Sequence, residues 1–127
     1  MAEHSWHASF LVPQHLSLSA LMHDAAEAFI GDVTRPLKSL LGTYKIVESN
    51  IEQAIAYRFR VAGTDAAEIK NADLQMLQAE RFALMPPSPE GEWPLFAGVE
   101  PVHVDLRCWG PGEAKEQFLR RFSELQQ

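Results

Sequence analysis

At 127 residues, 46% of them hydrophobic, the chain has the length of one domain and enough apolar side chain to build a core. Its formal net charge of -6, with no basic stripe, excludes a protein held to polymeric nucleic acid by broad electrostatics. The single cysteine, Cys108, excludes an internal disulfide and a thiolate zinc cluster and reads as an idle thiol. No apolar run approaches the roughly 20 residues of a membrane span.

The N-terminus has none of the basic and apolar regions of a signal peptide, so a cytoplasmic setting without membrane attachment is expected. Residues 3–11 form a short amphipathic segment stopped by Pro13. The spacing of Leu16, Ala20, Leu21 and Ala28 predicts one helix from Leu16 to Ile30, with Gly31 as its natural end. A loop from Asp32 to Pro36 leads into a short helix, Leu37 to Leu41, opened by Pro36. A long helix is predicted from Tyr44 to Val61, its inner face supplied by Ile51, Ala54, Ile55 and either Tyr57 or Phe59. Gly63-Thr64-Asp65 breaks it, and Thr64 or Asp65 is placed to cap a further helix from about Ala66 to Leu84.

Met85 to Val99 holds four of the eight prolines and reads as a long irregular loop, ordered if Trp93, Leu95 and Phe96 dock on the body. The one strand-like run, Val99 to Leu106, is cut by Pro101. Pro111 then begins a last amphipathic helix with Phe118, Phe122 and Leu125 turned inward. The expectation is an all-α fold: a single compact bundle of about five to six helices, with the Pro-rich loop before the last.

Chemistry concentrates in the run His23-Asp24-Ala25-Ala26-Glu27. Charged groups inside an apolar helix are costly unless paired or bound to a metal. Helical spacing puts His23, Asp24 and Glu27 on one broad face, where a single cation can take one bond each from His23 and Asp24. Further ligands must come from elsewhere, and His4 and Asp73 are the candidates. Two His and two Asp suit one divalent ion with open positions; Mn, Fe, Co, Ni, Mg and Zn are all admissible. Glu80 returns to about the same face as Asp73, and with Arg81 it can reach the pocket, Arg81 being available to a phosphate. An ordinary ion pair is the simpler reading of both. His7, His15 and His103 have no motif around them.

The sequence resembles the HD-domain metal-dependent phosphohydrolases, in particular their small 5′-deoxynucleotidase-like members of phage type. The resemblance runs from Ala2 to about Leu84, through AEHS at Ala2–Ser5, HDAAE at His23–Glu27, GD at Gly31-Asp32, TRPLK at Thr34–Lys38 and KNAD at Lys70–Asp73. It implies that His4, His23, Asp24 and Asp73 bind one divalent metal. It further implies that Glu27 orients or deprotonates the attacking water, and that Asp32 acts near the leaving group or sugar. Lys38, in a PxK turn beside the pocket, would touch substrate.

That family carries a helix and loop before the AEHS motif, often with an Arg and an aromatic that hold substrate. Here the sequence opens at the motif, so the expectation is either a translation start upstream of Met1 or a shortened member whose pocket is completed otherwise. Trp6, the Trp93 loop or a second subunit of a homo-oligomer can close the pocket, although Trp6 and Trp93 read first as packing residues. The implied function is hydrolysis of a nucleotide phosphate ester, most simply of a deoxynucleoside 5′-monophosphate. Two alternatives stay open: a deoxynucleoside triphosphate triphosphohydrolase, and a catalytically impaired domain that binds nucleotide or serves as an interaction module.

Overall fold

A computed structural model describes residues 1–63, 66–89, 91 and 93–127. Seven α-helices are present among them and no strand: α1 (Ala2–Ala8), α2 (Ser17–Leu21), α3 (Glu27–Ile30), α4 (Arg35–Lys38), α5 (Tyr44–Phe59), α6 (Ala67–Leu84) and α7 (Pro111–Leu125). Single 3-10 turns stand at Gln14–Leu16 and Pro94–Phe96. None of the helices is long and apolar enough to cross a membrane. The all-α expectation holds, with more and shorter helices than the periodicity suggests.

The main departure falls on the central motif. Leu16–Ile30 is not one helix, because α2 ends at Leu21 and α3 begins at Glu27. An unbroken helix would give the Ala20 carbonyl to the Asp24 N–H. Instead that carbonyl accepts a 2.7 Å hydrogen bond from His23 Nδ1. The side chain displaces the backbone donor, and the chain tightens into short-span bonds such as Glu27 N–H to Asp24 C=O. His23 and Asp24 therefore sit on a turn, not within a helix. Gly31 does end α3, at φ +77° and ψ 163°, a conformation that a side chain would strain.

The body is built where α1, α2, α6 and α7 cross. Small side chains line those crossings: Ser5, Ala8 and Ser9 of the α1 segment, Ser17, Ser19 and Ala20 of α2, and Ala72 of α6 are all buried. With little bulk between them the backbones approach closely, which draws residues near the start of α1 toward the middle of α6. Leu16, Leu21, Ile69 and Met76 fill the remaining core. Arg121 of α7 adds a cross-tie, its Nε donating to Ser9 Oγ at 3.1 Å and its guanidinium lying 3.9 Å from the Phe10 ring centre.

Helix α5 behaves differently from its pattern. It buries none of its residues, Tyr57 is 90% exposed, and Ala54 also points outward, so the inner face reduces to half-buried Ile51, Ile55 and Phe59. Arg60, at φ 56°, stops the helix, and Val61 just after it is buried. Thr64 and Asp65, the expected caps of α6, lie outside the described residues. Pro36 falls in the first turn of α4, which starts at Arg35. In the Pro-rich loop Phe96 is buried and stacks on Trp93, the ring centres 5.8 Å apart. Phe118, Phe122 and Leu125 of α7 are half-buried, with Phe122 edge-on to Phe59.

Candidate metal centre and its cleft

α1 starts the site. Glu3 accepts hydrogen bonds from the backbone N–H groups of Arg107, Cys108 and Trp109 at 2.5, 3.1 and 2.8 Å, which ties the segment before α7 to the first turn of α1. Burial would raise the Glu3 carboxyl, but these three donors outweigh it and hold the group below its usual range. Trp6 packs edge-on against Phe10 and Trp109, and His7 lies beside Trp6 and Trp109. These residues fix α1 rather than line the cleft. The next side chain, His4, is thereby delivered to α6.

His4 Nε2 lies 3.2 Å from Asp73 Oδ1, and His23 Nε2 lies 3.8 Å from the same oxygen. One ligating atom from each of His4, His23 and Asp73 falls within 4.8 Å of the others. Asp24 borders this trio, its Oδ2 3.2 Å from His23 Nε2. The outer ring nitrogens are taken: His4 Nδ1 stands 3.0 Å from Glu80 Oε1, and His23 Nδ1 is on the Ala20 carbonyl. The inner ones are not. Both Nε2 atoms are buried, close enough to carboxylates for ion pairing, yet neither makes a hydrogen bond.

The charges answer to one another. Burial lowers the affinity of the His4 ring for a proton, but Asp73 and Glu80 more than reverse this and raise its pKa to about 9. Burial acts likewise on His23, and Asp24 and Asp73 raise it to about 10. Asp73, which burial alone would push up, is held well below the carboxylate range by the two imidazoles. The acids around them therefore strengthen the hold of both imidazoles on a proton. Cations and protons compete for such sites.

His4, Asp24 and Asp73 open onto a polar cleft of about 420 Å³, whose further lining includes Glu27, Asp32, Thr34, Arg35, Lys38 and Glu80. Every residue expected at the site except His23 and Arg81 lines this space, and His23 borders a smaller hollow beside it with Glu52 and Val61. Burial, then the neighbouring charges of Asp24 and Asp32, raise the Glu27 carboxyl to about 7. That places a proton acceptor within the range where water chemistry is run near neutral pH.

The cations are distributed differently from expectation. Lys38 Nζ is held 2.7 Å from Glu48 Oε1 of α5 and stands 5.3 Å from the Tyr44 ring centre. Arg35, one turn earlier, lines the same cleft and has no partner among the described residues. Sequence reasoning passed over it; its place in TRPLK, three residues before Lys38, is the signal that could have found it. Arg81 is turned elsewhere, its guanidinium 5.2 Å from the Trp93 ring centre and its Nη1 3.4 Å from the Met85 carbonyl. It lines a separate pocket with Phe82 and Trp93, because adjacent residues of a helix diverge by about 100°. Glu80, by contrast, makes the interhelical pair that the simpler reading allowed, and its partner is His4.

Fold and site together describe an all-helical protein that gathers two histidines and an aspartate beside a polar cleft. The chain is 36% identical to the protein named uncharacterized protein YfdR of Escherichia coli (strain K12), over 98% of this chain and 70% of that one. It belongs to the family of that protein. No family model matches the sequence, and no solved structure matches it.

Proposed function

We propose that the chain is a divalent-metal-dependent phosphohydrolase of the HD-domain type, acting on a nucleotide phosphate ester and in the simplest case on a deoxynucleoside 5′-monophosphate. One observation carries the reading: the two buried Nε2 atoms of His4 and His23, without hydrogen bonds, converge on Asp73 beside the cleft. A buried imidazole nitrogen left in this way is the donor a transition-metal or zinc ion needs. His4, His23 and Asp73, with Asp24 at their edge, offer the mixed nitrogen and oxygen set that suits such an ion.

Electrostatics support the same assignment. Asp24, Glu27, Asp32, Asp73 and Glu80 all line the cleft, against Arg35 and a Lys38 already engaged by Glu48. So acidic a space repels a phosphate dianion unless a cation offsets it. A divalent ion held by His4, His23, Asp24 and Asp73 would supply Lewis acidity toward phosphate oxygens and a lowered pKa for water at the site. Glu27 then orients the attacking water and takes its proton. The water oxygen bonds to phosphorus while the bond from phosphorus to the ester oxygen breaks. The departing sugar oxygen takes up a proton, either the one Glu27 removed or one from solvent, and leaves as a hydroxyl; Asp32, in the same cleft, is the residue assigned to that side. Arg35, which lines the cleft, holds the phosphate, while Lys38 stays on Glu48.

The test is phosphate release by protein loaded separately with Mn, Co, Ni or Mg. Inorganic phosphate from deoxynucleoside monophosphates supports the nucleotidase. Release of tripolyphosphate from triphosphates alone would replace it with the triphosphohydrolase. No hydrolysis of either, with nucleotide affinity unchanged in Glu27→Ala, would replace it with a binding module.

A further inference from the structure

Of the two imidazoles at the centre, His23 is oriented by a backbone carbonyl, whereas His4 is oriented by a carboxylate from another helix. His4 Nδ1 and Glu80 Oε1 are 3.0 Å apart, with the side chains 11% and 26% exposed, so the contact is shielded from competing water. We infer that Glu80 is a positioning residue for the metal centre: by accepting the His4 Nδ1–H it fixes the ring so that Nε2 faces Asp73. The inference rests on the metal-dependent reading above and adds a residue to it.

Three features make this more than an incidental ion pair. First, α1 has only seven residues, and His4 lies in its opening turns, so the backbone alone restrains the ring weakly. Second, Glu80 and Asp73 stand on the same face of α6, two turns apart, and both turn toward His4, one to each ring nitrogen. The imidazole is gripped along its length by one rigid helix. Third, a carboxylate behind a ligating imidazole fixes its tautomer and makes the opposite nitrogen a stronger donor, which is worth about 10–100-fold in metal affinity. Without Glu80 only the Asp73 contact is left to orient the ring, and nothing fixes which nitrogen carries the proton.

The experiment compares Glu80→Ala and Glu80→Gln with the unaltered protein by two readouts, after circular dichroism has shown all three folded. Co(II) affinity is read from the visible absorption of the bound ion, and the His4 ring by nitrogen-15 NMR of the metal-free and zinc-loaded protein. Glu80→Ala should bind Co(II) about 10–100-fold more weakly and lose the hydrogen-bonded Nδ1–H resonance of His4. Glu80→Gln, whose side-chain carbonyl can still accept, should recover most of both. Equal Co(II) affinity in Glu80→Ala and the unaltered protein would overturn the positioning role alone. An unaltered protein that takes up no Co(II), Mn(II) or Zn(II) would overturn the metal reading and this inference with it.

Discussion

Asp73 Oδ1 stands between two imidazoles, 3.2 Å from His4 Nε2 and 3.8 Å from His23 Nε2, with each ring brought by a different segment of the chain. One carboxylate oxygen thus joins α1, the α2–α3 turn and α6 at a single point. The expected consequence is one divalent ion per chain. His23→Ala and Asp73→Ala should each lose it, and Asp24→Ala should lower occupancy, as read by elemental analysis after dialysis. Full occupancy in all three variants would remove the metal centre.

The same cluster sets a dependence on pH whose sign can be worked out. The surrounding acids raise the pKa of His4 to about 9 and of His23 to about 10, above the ordinary 6.5 of an unfolded chain. The folded protein therefore holds their protons more tightly. The stabilisation is complete below pH 6.5 and is lost as pH rises through 9 to 10. Asp73 works in the opposite direction. Its folded value is depressed, so its contribution is present above the ordinary 3.8 and is lost as pH falls through the folded value. In excess chelator the melting temperature should decline between pH 6.5 and 10, while saturating metal should remove that decline. Because an ion must displace both imidazole protons, its affinity should rise by up to about a hundredfold per pH unit between pH 7 and 9. A pH-independent affinity would show that the ion binds elsewhere.

Glu27 should matter for rate and not for metal. It lines the cleft without joining the trio of mutually close ligand atoms. Replacing it by Gln should lower kcat by about 10²–10⁴-fold with metal content intact. Burial, with Asp24 and Asp32 behind it, raises the carboxyl to about 7, and a bound cation nearby draws it back down. The acid limb of activity should therefore fall below pH 7 and disappear from the residual activity of Glu27→Gln. An unchanged limb would assign it to another group.

How much of this was legible in the sequence differs from residue to residue. The helical class, Gly31 as a stop and Pro111 as a start follow from local chemistry, which the sequence carries, whereas the docking of Phe96, in the sequence only a condition for order in its loop, is tertiary. The pairing of His23 with Asp24 was legible too, but for an incomplete reason. Periodicity placed them on a helix face, while the structure places them on a turn made when His23 captures the Ala20 carbonyl. A side chain competing with the backbone leaves no mark in hydrophobic spacing. The partnership of His4 with Glu80, and the diversion of Arg81 to Trp93, are tertiary. Each depends on which way α6 is rotated against its neighbours. The exposure of Tyr57 and Ala54 has the same origin, since the apolar pattern of α5 does not say which of its faces meets the body.

On the proposed reading, Lys38 is a structural cation and Arg35 the one available to a phosphate. Lys38 is 2.7 Å from Glu48 and close to the Tyr44 ring, so its charge links α4 to α5. Lys38→Met leaves Glu48 half-buried without its partner, and an unmet charged hydrogen bond costs about 1–3 kcal/mol. The expected result is a lower melting temperature in the absence of any ligand. Arg35 shares the cleft but has no such tie, so Arg35→Ala should leave the melting temperature nearly unchanged. Its loss should fall on the phosphate instead. A charge-assisted, two-pronged contact to phosphate is worth about 1.5–3 kcal/mol, so KM for a nucleotide should rise about tenfold or more, and Arg35→Lys should restore only part of it. Inorganic phosphate binding, followed by calorimetry, gives the same comparison without turnover. If Lys38→Met alone weakens phosphate binding while Arg35→Ala does not, the roles of the two cations are reversed.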